Sequence, residues 1–315
     1  MNTEKNQGWG YLSHQHTLIQ TESDKPVPEE NQILVRNAAI GINPVDWKFI
    51  KTNPLHWPDG HIPGVDGAGV VVAVGKKVSQ DWIGERVAYH QALAHNGSFG
   101  LYTRLFPERV MKLPETLSFA MAAALPCPML TARQAFEKIP LRKEFPVLVV
   151  GLGAVNKLLV QMLVQADFRV DVLSKNISEA EAQSYGIRNI LRFPAEIKQP
   201  YFAIYDAISG AHAAEMVPHL KANGHIICIQ DRIPAPVDPP FSRTISYHEI
   251  ALGALHNFGD AEDWKNLMDA GMKLMEAVSR QKLLVPAPVE FPFEQMLEAL
   301  AHSEQSKQKT VVYLD

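Results

Sequence analysis

Two hydrophobic textures divide this chain. In the first third, apolar positions come in short runs closed by glycine or proline. Ile33-Leu-Val-Arg-Asn-Ala-Ala-Ile40 leads into the turn residues Gly41-Ile42-Asn43-Pro44, and Val70-Val-Val-Ala-Val74 is a β-branched run closed by Gly75. Residues 86–89 and 98–104 are shorter stretches of the same kind. Short strands with Gly/Pro turns predict a twisted, barrel-like antiparallel domain. Residues 119–138 read as helical, interrupted at Pro126 and Pro128. From Phe145 to about Leu255, strand-like runs at 147–150, 169–173, 189–191, 201–207 and 225–230 alternate with helical ones at 179–185 and 211–220. That alternation predicts a parallel, doubly wound sheet. Trp264, Leu267, Met268, Met272, Leu274 and Met275 give 261–280 the period of an amphipathic helix, with the methionines and tryptophan as core. The apolar run 310–314 is a last strand, expected to rejoin the first domain.

The most informative segment is Phe145-Pro-Val-Leu-Val-Val-Gly-Leu-Gly-Ala-Val-Asn156. A buried strand stops at Gly151-Leu152-Gly153 and resumes as a helical pattern through Val155, Leu158, Leu159, Met162 and Leu163. Strand, glycine turn and helix open a dinucleotide-binding βαβ unit, in which helix N–H groups meet a pyrophosphate. The third glycine position holds Asn156, where helix and strand pack closely. A glycine's role there is mainly steric, so the amide either crowds the contact or bonds a phosphate oxygen.

Composition narrows the classes. The 315 residues suffice for two domains, and 46% hydrophobic with 20% charged residues describes an ordinary globular protein. A formal charge of −4 argues against nucleic acid or an anionic membrane as a general partner. No apolar run approaches the ~20 residues that span a bilayer. The N-terminal residues lack an apolar signal core, and Cys127 and Cys228 form no CxxC pair. The expectation is a cytoplasmic protein acting on a small-molecule substrate, with no nucleic acid and no membrane partner; a homodimer is left open.

Several segments together carry a resemblance. Gly41-Ile-Asn-Pro-Val-Asp-Trp-Lys48, Ile62-Pro-Gly-Val-Asp-Gly-Ala-Gly-Val-Val-Val-Ala-Val-Gly75, Gly84-Glu-Arg-Val87, Gly97-Ser-Phe-Gly-Leu-Tyr-Thr103, Ala122-Ala-Ala-Leu-Pro126, Leu130-Thr-Ala132, Gly186 and Asp206-Ala-Ile-Ser-Gly210 follow in order nearly end to end. In this order and spacing the chain resembles the zinc-independent, quinone oxidoreductase-like branch of the medium-chain dehydrogenase/reductases. The resemblance implies an α/β fold. A discontinuous GroES-like β-barrel catalytic domain would comprise residues 1–118 and 256–315, with a Rossmann domain, a doubly wound parallel sheet, over 119–255. The cleft between them is the expected active site.

The zinc-dependent relatives take three ligands from fixed places. Here the first slot holds Asn43, the histidine slot holds Val65, and only Cys127 matches. One ligand of three does not hold Zn²⁺, and neither His14/His16 nor His90/His95 is expected to have the partners a metal needs. A zinc-free site must stabilise the charge that hydride transfer leaves on oxygen with donors or a proton. The resemblance puts Asn43, Asp46, Trp47 and Lys48 near the nicotinamide, with Lys48 as a candidate donor. Tyr89 and His90 close a strand facing the same cleft, and His90 is a candidate proton relay. For the cofactor, the resemblance and the turn together nominate Thr131, Gly151, Gly153, Ala154, Val155, Asn156, Ser209, Leu255 and His256. Ser174 and Lys175 end the second strand where an NAD site carries a carboxylate; they would bind a 2′-phosphate, which favours NADPH. Asp171 is discounted because it falls inside the strand, and Arg192 is a second candidate phosphate contact. The expected reaction is hydride transfer from NADPH to a quinone or α,β-unsaturated carbonyl. The alternatives are an enoyl-thioester reductase and a non-catalytic nucleotide-binding or scaffold protein, the latter suggested by Asn156, by Ser209 in a glycine slot and by Phe193 in a tyrosine slot.

Overall fold

The computed structural model describes residues 4–314. The chain divides into two compact units. One runs to Cys127 and takes in Gly253–Lys282 and the chain from Pro286 onward; the other is Pro128–Leu252 with Leu283–Val285. The sequence expectation placed the divisions at 118/119 and 255/256.

The first unit opens with an antiparallel ribbon, β1 (Lys5–Leu12) and β2 (Thr17–Asp24), which the sequence pattern did not announce. Next come β3 (Ile33–Ile42), α1 (Pro44–Thr52), β4 (Asp66–Val74), β5 (Arg86–His90), β6 (Tyr102–Leu105) and β7 (Val110–Lys112). β3 continues through Gly41-Ile42, which the sequence suggested as a turn. A partner from the far end of the chain pairs with these residues, and a Cβ on Gly41 would lie 1.9 Å from the Ala123 carbonyl oxygen. Only the end of the expected 98–104 strand is β6; Gly97, Ser98 and Phe99 instead bond the backbone carbonyls of Ile62, Gly64 and Pro63. α2 (Phe119–Ala123) packs on β3 and β4. α3 (Pro126–Phe136) begins at the proline expected to interrupt it, because proline's missing N–H costs nothing in a first turn.

The second unit alternates as expected: β8 (Pro146–Val150), α4 (Ala154–Gln165), β9 (Arg169–Leu173), α5 (Glu179–Ser184), β10 (Asn189–Leu191), β11 (Tyr201–Asp206), α6 (Gly210–Met216) and β12 (Leu220–Cys228). A sixth strand, β13 (Ser246–Glu249), is too polar to stand out in sequence. All pairings are parallel, in the order β10-β9-β8-β11-β12-β13. β8 is wholly buried, consistent with its unbroken apolar run.

The chain then returns to the first unit through α7 (Leu255–Phe258), α8 (Ala261–Ser279), β14 (Val289–Pro292), α9 (Met296–Ser306) and β15 (Thr310–Tyr313). Asp260 caps α8 by accepting the N–H groups of Glu262 and Asp263, and Trp264, Met268 and Met275 are buried as the period predicted. β15 lies antiparallel to β3 and parallel to β14, completing the order β14-β15-β3-β4-β5-β7 with β6 on β3. Trp9, Tyr11, Ile40, Ile42, Trp57, Phe99 and Met296 share one core cluster of this unit. Among the described residues, no helix is long and apolar enough to cross a membrane.

Candidate functional site

Strand register assembles the first site. β4 begins at Asp66 and β5 ends at His90, and the antiparallel pairing sets these two residues opposite each other. Directly opposed residues project to the same face. Asp66 is fully buried and His90 nearly so, and Asp66 Oδ1 lies 2.8 Å from His90 Nδ1. Asp66 Oδ2 accepts the Asn43 Nδ2–H and the Cys127 backbone N–H, each at 2.8 Å. Asn43 is there because it caps α1, and Cys127 because it lies in the first turn of α3. Lys309 arrives one residue before β15. Its Nζ is 2.6 Å from Asn43 Oδ1, 3.1 Å from the Ile42 carbonyl oxygen and 3.9 Å from Asp66 Oδ2.

A second carboxyl lies beside this group. Asp46, fully buried in the first turn of α1, accepts the Asn43 N–H at 2.7 Å and the Val65 N–H at 3.1 Å. Burial pushes its pKa up to about 7; the Asn43 N–H opposes this rise and the Asp66 charge adds to it. Lys309 is pushed below the ordinary lysine range by burial, while Asp66, Cys127 and Asp46 favour its charged form.

The other catalytic candidates separate. Tyr89 is fully buried in a core cluster, its hydroxyl 2.7 Å from Asn37 Oδ1 and 2.9 Å from Thr103 Oγ1, and burial raises its pKa. It follows the alternation of β5 away from the face of His90 and supports the barrel. Trp47 is half-buried with its indole N–H unpartnered, and the exposed Lys48 places its ammonium 5.7 Å from the Trp47 ring centroid. His256, in α7, sits 5.9 Å from the His90 ring and 4.9 Å from Trp264. Burial, then the neighbouring His90 and Arg109, pull its pKa down to about 3.

Asp66, Cys127 and His90 also correct one expectation: His90 does have metal-type neighbours, since ligand atoms of the three lie within 4.8 Å of one another. The missed signal was a charge among the small residues of Gly64-Val-Asp-Gly-Ala-Gly69. The surroundings of the three side chains weigh against a metal. Every Asp66 oxygen already serves a donor or His90, and an ammonium stands beside the group. Lys309 was missed because only the pairing of β15 with β3 brings it to Asn43, 266 residues away.

The second unit holds a different kind of site. Gly151 has φ of +74°, which favours glycine, and turns the chain from β8 into α4. Gly153 caps α4 without a side-chain bond, and a Cβ there would meet nothing within 4 Å. Gly153 and Ala154 are exposed, and the first N–H groups of α4, among them those of Ala154 and Val155, have no intrahelical partner. This backbone suits a pyrophosphate. Asn156 is completely buried; its Nδ2 donates to the carbonyls of Val150 at 3.1 Å and Gly151 at 2.6 Å, which leaves it no donor for a phosphate, and its Oδ1 has no partner. Its amide ties the turn to the helix.

At the end of β9, Ser174 is half-buried and Lys175 exposed. Asp171 is occupied by Arg188, Asn189, Gln199 and Tyr201, so it has no spare capacity for a ribose. Arg192 donates to the carbonyls of Ser174 and Ile177 and braces the loop between them. Ser209 caps α6 through the His212 N–H, and Thr131 is buried in α3. Leu255, half-buried, begins α7 in the first unit.

Comparison with known proteins agrees with this architecture. Residues 29–115 match the family described as the alcohol dehydrogenase GroES-like domain. The chain is 29% identical over 246 residues to 2-methylene-furan-3-one reductase of Solanum lycopersicum, covering 72% of this chain and 63% of that protein, less than two thirds of its length. It is 30% identical over 226 residues to the chloroplast envelope quinone oxidoreductase homolog of Arabidopsis thaliana, covering 65% of this chain and 68% of that protein. The solved quinone oxidoreductase of Coxiella burnetii superposes with a TM-score of 0.80 at 20% identity, over 99% of this chain and all of the other, a likeness of fold. The chain belongs to the medium-chain dehydrogenase/reductase superfamily, in its quinone oxidoreductase-like branch.

Proposed function

We propose that this protein is an NADPH-dependent, metal-free oxidoreductase that reduces a quinone or an α,β-unsaturated carbonyl compound. The observation that carries the reading is the buried Asp66–His90 pair, held at 2.8 Å beside Asn43 and Lys309. The GroES-like unit is the catalytic domain in this reading and the parallel-sheet unit binds the dinucleotide. Gly151, Gly153 and the N–H groups of Ala154 and Val155 would hold the pyrophosphate, with Ser174 and Lys175 at a 2′-phosphate. When bound, the nicotinamide supplies the hydride.

The protein's own task is the proton. Reduction leaves negative charge on an oxygen, and a positioned acid lowers that cost. Asn43 and the Cys127 N–H both donate to Asp66 Oδ2 and His90 Nδ1 faces Oδ1; a carboxylate only accepts, so His90 would donate from Nδ1 and leave Nε2 as the atom that holds and delivers the proton. Asp66 fixes the ring's orientation, and Lys309 offsets the carboxylate charge.

The test is a fluorescence titration with NADPH and NADH, followed by turnover of a simple quinone and a simple enone. NADPH should bind more tightly, and His90→Gln should lower kcat by about 100-fold with the NADPH dissociation constant unchanged. Binding without turnover would favour a non-catalytic nucleotide-binding protein. Equal affinities for the two cofactors would remove the case for NADPH.

A further inference from the structure

Asp66, His90 and Cys127 bring a carboxylate, an imidazole and a thiol within 4.8 Å of one another, a donor set suited to zinc or cobalt. The same space already holds a positive charge. Lys309 Nζ lies 3.9 Å from Asp66 Oδ2 and 2.6 Å from Asn43 Oδ1, and only 14% of its side chain is exposed. Asn43 also donates to Asp66 Oδ2, the oxygen that faces Lys309. A divalent ion among the three side chains would face this ammonium across a few ångströms of poorly screened space.

We propose that Lys309 is the permanent cation of this cluster: its ammonium takes the place of a metal, keeps divalent metals out, and its removal turns Asp66, His90 and Cys127 into a transition-metal site. The inference uses the same residues as the proposed reaction but does not rest on it, since the readout is metal binding and not turnover.

The experiment titrates the full-length protein, Lys309→Met and Lys309→Arg with Co(II), following the thiolate-to-cobalt charge-transfer band and the melting temperature. The parent and Lys309→Arg should show no such band. Lys309→Met should bind one Co(II) per chain, at least about tenfold more tightly than the parent, with a charge-transfer band and a higher melting temperature as the metal binds the Cys127 thiolate and the thiol proton is released to solvent. Adding Cys127→Ser to Lys309→Met should abolish the band. If Lys309→Met does not fold without metal, refolding it with Co(II) present applies the same test. A parent that binds Co(II) through Cys127 would overturn the proposal. So would a folded Lys309→Met that takes up none, or a Lys309→Arg that binds as Lys309→Met does.

Discussion

The Asp66 cluster and the Gly151 turn handle charge in opposite ways. In the cluster the charged and polar groups are buried or nearly so and committed to a neighbour: Asp66 to His90, Asn43 and the Cys127 N–H, Asp46 to two backbone N–H groups, Lys309 to Asn43 and Ile42. At the turn the polar groups aimed outward are backbone N–H groups, and the charged side chain, Lys175, is exposed. The first arrangement fuses chemistry with folding, because no member can change without stranding another in a low-dielectric interior. The second separates them, so binding can be altered at little cost to the fold.

The strongest way to break this comparison is to remove the hub. Asp66→Asn takes the counter-charge from Lys309 and turns one of two acceptor oxygens into a donor, so either His90 or the Asn43 and Cys127 N–H groups lose their acceptor; it should cost roughly 3–5 kcal/mol of stability, the range for stranding one partner of a buried pair. Urea unfolding of the variant checks this. A loss below about 1 kcal/mol would mean that the cluster behaves as a surface ion pair.

Acid titration sharpens the same point. The Asp46 pKa is raised from 3.8 to about 7, so between these values the folded protein keeps a proton that the unfolded chain has lost. This contribution to stability is present below pH ~4 and fades as pH rises toward 7. His61 and His248, near 4, and His256, near 3, lie below the ordinary 6.5, each chiefly through burial. Their contribution is present above 6.5 and is lost as pH falls. The two effects oppose each other between pH 4 and 6.5. Asp46→Asn removes only the first. Its stability to urea should therefore drop more steeply than the parent's on acidification from pH 7 to 4, by a few kcal/mol at roughly 1.4 kcal/mol per pH unit. Parallel curves would mean that Asp46 titrates as an ordinary carboxyl.

At the turn the expected signature reverses. Lys175→Glu should leave unfolding unchanged within about 0.5 kcal/mol but weaken NADPH by roughly 1.5–3 kcal/mol, the worth of one charge-assisted contact. NADH should scarcely notice. A Lys175→Glu protein that loses stability but not cofactor preference would erase the distinction between the two regions.

These regions also differed in how far they could be read from sequence. The turn is local: strand, glycines and helix lie within residues 145–165, and hydrophobic period alone located β8 and α4. The cluster is not. Asn43 and Asp46 were nominated through resemblance and His90 as the end of a strand, but Asp66 and Lys309 were not, because they meet the others only through the β4–β5 register and the β15–β3 pairing. Local pattern also stopped β3 too early at Gly41 and passed over β1, β2 and β13, whose polar residues hide the strand period. Long-range pairing decided the end of β3, whereas β1 and β2 form a local hairpin hidden by its own polar residues.

Asn156 is where the two styles meet, since it is a buried amide in the backbone-built site. Its sequence position suggested either a crowded helix or a phosphate ligand. The structure shows its amide spent on the Val150 and Gly151 carbonyls, with Oδ1 left buried and unpartnered. Asn156→Gly would lose two neutral hydrogen bonds and add glycine's backbone freedom, but it would also remove one unsatisfied acceptor. These opposing terms leave a net loss of about 1 kcal/mol in stability. Cofactor affinity should weaken only slightly, through a looser turn, because the side chain points into the protein and takes no room from a pyrophosphate. Thermal unfolding and the NADPH dissociation constant, measured at one ionic strength, separate the outcomes. Tighter NADPH binding by the glycine variant would show that the side chain crowds the site after all. Much weaker binding at unchanged stability would show that the amide reaches the phosphate when cofactor is present.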